Sequence, residues 1–571
     1  MKKIWIILCL ALLLLVGCGD EKVPPEAETT LPSEGETTLP PETEAPVPVS
    51  CNIIENGVCR FKVVRPENAT NLMVESAKAI HNALSKHAEG NVEMVTDWIK
   101  GGTEYDSDAF EILVGKTGHP EAEEALKQVG YNQYGLIVVG NKLCVVGLST
   151  EALQSAANKL VNIINNRVEK GEAGTNLTIE GMYLTATDMK GCDFDLPVFE
   201  GVEFAGTYDC GDSTYKAFFL DVNEAEFTAY WNVLVKDGAA ESARRKLGEN
   251  TFIDAKWGKW NVNVSFYPSL GEVGIAFSQK LKAPPAIAKE DYTPVQPLLS
   301  QFNNNEVGGG MGYLIRLEDG TFIIVDGGMS PTGAKEAYTL YELMKEQNTR
   351  ADGKLIVRAW FITHAHADHY NVLREFASAY GSRVKVESLL YSPMAELYQS
   401  MTEAAGAWDA RDVVAQLSGC VYVKLMAGQV LEYPGCTFEV LYTANDAYML
   451  ERMDSLNDNS AVARVYIGGQ SFMILGDVQV QASPRIAEAW REYLKSDLMQ
   501  VAHHGNNGGS TALYDYIQPS VLLWPTNVAS FTQWRTLSIN QTLLKRDYVK
   551  ETVLAGLGSK TLALPYTPKK K

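Results

Sequence analysis

The chain has no CxxC pair and no cysteine–histidine spacing of the zinc-ribbon type, so a metal site built on cysteine is excluded. It has no surplus of positive charge. Fifty Lys+Arg stand against 70 Asp+Glu, a formal charge of −20, which argues against indiscriminate electrostatic binding to nucleic acid over the whole molecule. Collagen and coiled-coil biases are absent, and 46% hydrophobic with 21% charged residues is a globular composition. The 571 residues are enough for about two to four domains. The acidity is uneven. Residues 18–50 hold eight acidic residues and one lysine, whereas residues 291–571 hold 24 basic and 29 acidic residues and are nearly neutral. A nucleic-acid substrate therefore stays open for the C-terminal half.

Lys2 and Lys3 precede an apolar run from Ile4 to Val16. That run is too short for a comfortable membrane span and suits a secretory h-region. It ends in Leu15-Val16-Gly17-Cys18, which resembles a bacterial lipobox. The expectation is a signal peptide at 1–17, acylation of Cys18, and anchoring through lipid to the outer side of the cell membrane. Residues 18–50 are rich in Pro, Glu and Thr, repeat ETTLP at Glu28–Pro32 and Glu36–Pro40, and carry too little apolar surface to fold. At about 3 Å per residue this disordered tether would reach on the order of 100 Å. In such an oxidising setting Cys51–Cys59 and Cys192–Cys210 are candidate disulfides, although sequence cannot fix the pairing.

Residues 51–190 alternate helix and strand patterns. Ala69–Ala88 reads as a helix, and Phe110–Val114, Tyr134–Val139 and Leu143–Leu148 as strands. Gly140-Asn141 reads as a hairpin turn, and Thr150 opens an amphipathic helix to about Asn166. This order resembles the small domain that precedes the barrel in some glycosidases, though a spacer or docking role is the preferred expectation. Residues 195–285 form a second small α+β unit, with a helix at Glu224–Asp237 and strands at Phe252–Ala255 and Trp260–Tyr267. Trp257, Trp260 and Tyr267 are low-weight candidates for stacking on a sugar. Residues 51–285 are thus candidates for contact with an envelope polymer. Ala283-Pro284-Pro285 marks the linker to a last domain at 291–571.

Histidine is scarce, eight in all, and five lie in two tight clusters in the last domain. His81, His87 and His119 have no partner pattern. The first cluster is Thr363-His364-Ala365-His366-Ala367-Asp368-His369. It follows an apolar strand, Leu355–Ile362, and precedes a helical run from Val372 to Tyr380. A strand-to-helix loop presents closely spaced side chains at a sheet end, where ligand sites occur. Imidazole and carboxylate suit Zn²⁺ and similar ions. His364 and His366 can clamp one ion, while Asp368 and His369 can face a second.

HxHxDH is the signature of the metallo-β-lactamase superfamily, and the chain resembles that superfamily over roughly residues 295–565 in four ordered strand-end motifs. Phe322–Val325 ends in Asp326-Gly327-Gly328, Phe472–Leu475 ends in Gly476-Asp477, and Met499–Ala502 runs into His503-His504-Gly505. The resemblance implies an α/β fold, an αββα sandwich preceded by two small α+β domains. It implies one or two divalent ions, Zn²⁺ first and Mn²⁺ second. His364, His366 and Asp477 would hold one ion, and Asp368, His369, Asp477 and His503 the other. His504 would be a substrate-contacting catalytic group. Asp368 would orient a metal-activated water, and Asp326 and Asn459 would support the ligands. Asn457-Asp458-Asn459-Ser460, Leu475-Gly476-Asp477 and Ala502-His503-His504-Gly505 with Ser510-Thr511 narrow the resemblance to the hydrolase domain of the ComEC/Rec2 competence proteins. The multi-span channel of those proteins is absent, so the implication is a phosphodiesterase or nuclease-like site. Gly505–Thr511 is a candidate phosphate-contacting loop. One departure stands out: no histidine occurs from 370 to 476, where many superfamily members place another ligand. The expected activity is hydrolysis of a phosphodiester or nucleic-acid-like substrate. The alternatives are a lactone, thioester or β-lactam bond, or a non-catalytic envelope-binding lipoprotein. No obligate protein partner is inferred.

Overall fold

A computed structural model describes residues 50–569, apart from 132, 173, 181–182, 187–195, 288–291, 303–309, 329–333, 393–409, 444–445 and 447–455. The expected signal peptide, Cys18, the tether and Cys192 lie outside the described residues. Among the described residues no helix is long and apolar enough to cross a membrane.

The first region carries a six-stranded mixed sheet in the order Tyr183–Ala186, Gln133–Val139, Lys142–Gly147, Glu111–Val114, Lys62–Arg65 and Met94–Thr96. Two helices cover it, Asn71–His87 and Thr150–Arg167. Thr70 caps the first by accepting the Met73 N–H, and Ser149 caps the second by accepting the Ala152 N–H. Ile80, Leu84, Leu153, Leu160 and Ile164 of these helices meet Ile112, Val114 and Val145 of the sheet in one buried cluster. Cys51 and Cys59 are free thiols here, so the candidate bridge is not formed. Cys59 pairs in register with Ile54, and its Sγ donates to the Phe61 carbonyl.

The second region is a six-stranded antiparallel sheet in the order Glu203–Asp209, Thr214–Leu220, Glu272–Ser278, Trp260–Tyr267, Asn250–Trp257 and Ala240–Leu247. The helix Glu224–Lys236 lies on it, started by a reciprocal capping box between Asn223 and Glu226. The expected strand Phe252–Ala255 is longer, Asn250–Trp257, because its neighbour Trp260–Tyr267 pairs with it along its whole length. Trp260 and Tyr267 are 5% and 2% exposed, so they are packing groups and form no sugar-stacking platform. Trp257 packs at the edge of the same core and donates its ring N–H to the Asp237 carbonyl.

Two further sheets stack face to face in the C-terminal region. One has eight strands on its main path and includes Phe322–Asp326, Leu355–Ile362 and Ser388–Tyr391. The other has seven and includes Cys436–Tyr442, Gln470–Ile474, Leu498–Gln500 and Val521–Trp524. Phe361 meets Phe438 and Tyr313 meets Phe472 edge-on across the interface, at 5.2 and 5.3 Å between ring centres. Burying one such side chain is worth about 1.5–3 kcal/mol. The helices Ala334–Gln347 and Ala367–Tyr380 pack on the outer face of the first sheet. Ala482–Trp490 and Thr511–Ile517 pack on the outer face of the second. The layer order is αββα, as expected. Phe322–Asp326 runs parallel to Leu355–Ile362, and Gln470–Ile474 runs parallel to Leu498–Gln500. Parallel pairing brings two carboxyl ends together in each sheet, and each expected site motif sits on one of these four ends.

Candidate metal centre

The first-sheet half is built around Asp326. It ends its strand at φ +51° and is fully buried. Its carboxylate accepts the Thr363 N–H at 2.7 Å, the Thr363 hydroxyl at 2.8 Å and His369 Nδ1 at 2.7 Å. Its own carbonyl accepts the Trp360 ring N–H at 2.8 Å. Asp326 therefore ties the ends of two adjacent strands and turns His369 so that Nε2 faces inward. A Cβ on Gly327 would sit 2.7 Å from Val372 Cβ, so only glycine lets the helix Ala367–Tyr380 come this close. Asp368 and His369 stand in the first turn of that helix.

The second-sheet half depends on backbone geometry. His503, His504 and Gly505 are three successive residues with positive φ, at +49°, +55° and +87°. That sequence of left-handed residues turns His504 inward. Trp524 Nε1 donates to the His504 carbonyl at 2.7 Å, and His504 Nδ1 donates to the Pro525 carbonyl at 2.9 Å. The bond at Nδ1 leaves Nε2 as the ligand atom, the arrangement a metal-binding imidazole needs. Asp477 follows Gln470–Ile474, and its N–H donates to Ser460 Oγ at 2.9 Å.

Four of these side chains converge. One ligand atom from each of Asp368, His369, Asp477 and His504 lies within 4.8 Å of all the others. His369 Nε2 is 3.1 Å from Asp477 Oδ2 and 3.3 Å from His504 Nε2. His504 Nε2 is 3.1 Å from Asp368 Oδ2 and 3.4 Å from Asp477 Oδ2. Burial alone would lower the histidine pKa values, but the Asp477 and Asp368 carboxylates outweigh it. They raise His504 to about 10 and, together with Asp326, hold His369 well above the ordinary value. In return the two imidazoliums outweigh burial at Asp368 and Asp477, which stay well below the usual carboxylate range. Asp477 Oδ1 is buried with no hydrogen-bond partner. Such an atom is costly unless something coordinates it. Two imidazole nitrogens, two carboxylates and an orphaned carboxylate oxygen fit a divalent cation of the zinc type.

A second group adjoins the first. His364 Nε2 is 3.0 Å from His366 Nδ1 and 3.9 Å from Asp477 Oδ2. Its Nδ1 lies 3.1 Å from Thr363 Oγ1 and 3.2 Å from Ser460 Oγ. Burial, followed by the charge on His369, holds its pKa well below the ordinary value, so it is a neutral donor. His364 is buried whereas His366 is partly exposed.

The two adjacent histidines exchange the expected places. His504 joins the four-residue cluster as a ligand candidate and takes no separate catalytic position. His503 turns away, with Nδ1 2.9 Å from Gln479 Nε2 and Nε2 3.4 Å from Asn457 Nδ2. Spacing cannot rank neighbours whose directions are set by φ. Asn459 is buried with Oδ1 unpartnered, one residue before Ser460. Sequence reading missed Ser460, Thr363 and Pro525 as supports. The Asn457–Ser460 motif signalled the first of these only by its nearness to Asp477 in the fold.

Residues 306–520 match the family model "Metallo-beta-lactamase superfamily". No curated protein matches the chain. Among solved structures, it is similar to the metallo-β-lactamase fold protein YhfI from Bacillus subtilis, at 13% identity and a TM-score of 0.30, over 46% of this chain and 99% of that one. It is similar to CmlA, a diiron β-hydroxylase from Streptomyces venezuelae, at 14% identity and a TM-score of 0.30, over 48% of this chain and 55% of that one. Human tRNase Z, short form, matches at 15% identity and a TM-score of 0.21, over 40% of this chain and 91% of that one.

Proposed function

We propose that the metallo-β-lactamase-type domain in the C-terminal region is a divalent-metal hydrolase of small phosphodiesters, carried on an exported, lipid-anchored protein. The carrying observation is the convergence of Asp368, His369, Asp477 and His504 around an orphaned carboxylate oxygen. A bound divalent cation, Zn²⁺ first and Mn²⁺ second, would supply Lewis acidity and a water that ionises near neutral pH. The chain's own groups do the rest. Asp326 and the Pro525 carbonyl fix the two imidazole rings, and Asp368, partly exposed at the rim, is placed to orient water. His364 and His366 offer neutral and partly open donors beside Asp477.

The diester reading is supported by the Asn457–Ser460, Asp477 and His503–Gly505 motifs and their likeness to the competence-type hydrolase domain. The small-substrate reading is supported by charge. No lysine or arginine occurs between Lys495 and Arg535, the stretch that carries His504 and the loops beside it. A long polyanion is held by cations along its track. The export reading is supported by Lys2, Lys3, the Ile4–Val16 run and Cys18.

Elemental analysis and turnover of a bis-aryl phosphodiester by the full chain test the activity. Bound metal with turnover that is lost in Asp477→Asn is the expected result. Bound metal with lactone or thioester turnover alone would sink the diester reading. No metal and no turnover would favour a binding platform. Loss of fatty-acid labelling in Cys18→Ser tests the anchor.

A further inference from the structure

The second region is not separate from the centre. Its side chains grip Asp446 and the helix Ala482–Trp490, whose start lies beside the centre. Lys216, on the strand Thr214–Leu220, is 3% exposed, and its Nζ donates to Asp446 Oδ1 at 2.5 Å. The lysine reaches Asp446 across Gly274, where a Cβ would sit 2.4 Å from Lys216 Cε. The other oxygen of Asp446 accepts the N–H of Thr443 at 3.0 Å, its hydroxyl at 2.7 Å and the Ala427 N–H at 3.3 Å. Glu272, 1% exposed, accepts both arms of Arg485 at 2.6 Å, and Arg485 also donates to the Asp446 carbonyl at 2.7 Å.

Arg485 stands on the helix Ala482–Trp490, which the second region holds at its far end as well. Ser269 Oγ donates to the Glu488 carbonyl and Asn250 Nδ2 to the Ala489 carbonyl, both at 2.8 Å. These satisfy helix C-terminal carbonyls that the helix itself cannot. Phe252 stacks on Trp490 at 5.7 Å. The near end of the helix meets the centre. Asp458 Oδ1 accepts the N–H groups of Gln479 at 2.7 Å and Ala482 at 3.0 Å. Two residues on, Ser460 holds the Asp477 N–H and faces His364. Hydrogen bonds, linked through the helix Ala482–Trp490 and the backbone from Asp458 to Ser460, therefore join Lys216 and Glu272 to Asp477.

We propose that the second region is the positioning element of the metal centre, with Lys216 and Glu272 holding the helix Ala482–Trp490, whose start anchors Asp458 and so places Ser460 and Asp477. These are positioning residues, acting through Asp446 and Arg485. The role in catalysis rests on the hydrolase reading, but the positioning itself does not.

The test compares hydrogen exchange in the full chain, Lys216→Met, Glu272→Gln and Lys216→Arg, together with Co²⁺ affinity by chelator competition. Peptides covering 456–462 and 477–490 should exchange at least about tenfold faster in the first two variants, with Co²⁺ affinity weakened about tenfold. Peptides of the first region should keep their rates, and Lys216→Arg should restore both readouts. Glu272→Gln keeps the shape of the pair and guards against a Lys216→Met variant that does not fold. Acceleration spread evenly over the chain, or faster exchange confined to the second region with Co²⁺ affinity unchanged, would overturn the proposal. Failure of the wild-type chain to hydrolyse any diester would sink the hydrolase reading alone, because exchange still reports the positioning.

Discussion

The two halves of the centre differ in how far they are built before any ion arrives. The four-residue half is closed: His369 is locked by Asp326, His504 by the Pro525 carbonyl, and Asp477 by Ser460. The His364–His366 half is open. Its two donors face each other at 3.0 Å, and His366 reaches solvent. An ion entering either half must part such contacts, but in the closed half His369, His504 and Asp477 are already held from behind by Asp326, Pro525 and Ser460. The difference teaches that donor count is a poor guide to metal affinity when the supports behind the donors are unequal.

The comparison can be broken at the shared residue. Asp477→Asn removes the carboxylate common to both halves and should cost more than about 100-fold in turnover while emptying both, since even outer supports are worth 10–100-fold. Elemental analysis that finds one full equivalent in this variant would show that the halves do not share Asp477. Asp326→Asn should weaken only the closed half, by about 10–100-fold in metal affinity by chelator competition. Equal weakening of both halves would erase the distinction.

The closed half should also be the more sensitive to pH. His504 is raised to about 10 and His369 lies well above its ordinary value, so both are protonated near neutrality and must lose protons to bind metal. Affinity should rise with pH by about tenfold per unit for each proton displaced, read as proton release in calorimetry with two buffers. In the metal-free protein the sign reverses. A raised histidine contributes its stability in full below 6.5 and loses it as pH rises through about 10. His366→Ala should act on the open half only, cutting turnover by less than about tenfold with the closed half still loaded. His503→Ala should be the mildest, a change of about threefold or less, because His503 touches Gln479 and Asn457 instead of the cluster.

The strand-end motifs were legible because each is compressed into a few residues after an apolar run. Asp326, His364 to His369, and Asp477 all occupy the rim they were expected to share. The choice between His503 and His504 was not legible, since it turns on three consecutive positive φ values that no side-chain pattern declares. Nor were the contacts of the second region. Lys216 and Asp446 lie 230 residues apart, and a lysine inside a strand looks the same in sequence whether it meets solvent or a buried carboxylate. Trp260 and Tyr267 were ambiguous for a related reason, because an aromatic stripe reads alike on a binding face and on a core face; their burial decides for core packing, the favoured reading. The αββα order was legible only through the resemblance that the strand-end motifs carry to the metallo-β-lactamase superfamily, not through the hydrophobic pattern of the strands.

Asp368 and His369 belong to the first sheet's side of the rim, and Asp477 and His504 to the second's. A cation held by all four is thus a rivet through the mouth of the sandwich, fastening two sheets whose shared core is apolar. Its mechanical effect resembles that of a cross-link, and its thermodynamic weight grows with free metal concentration as ligand-linked stability requires. Chelation would then relax the seam between the sheets as well as stop the chemistry, and a protease should find the two sheets easier to separate once the rivet is drawn.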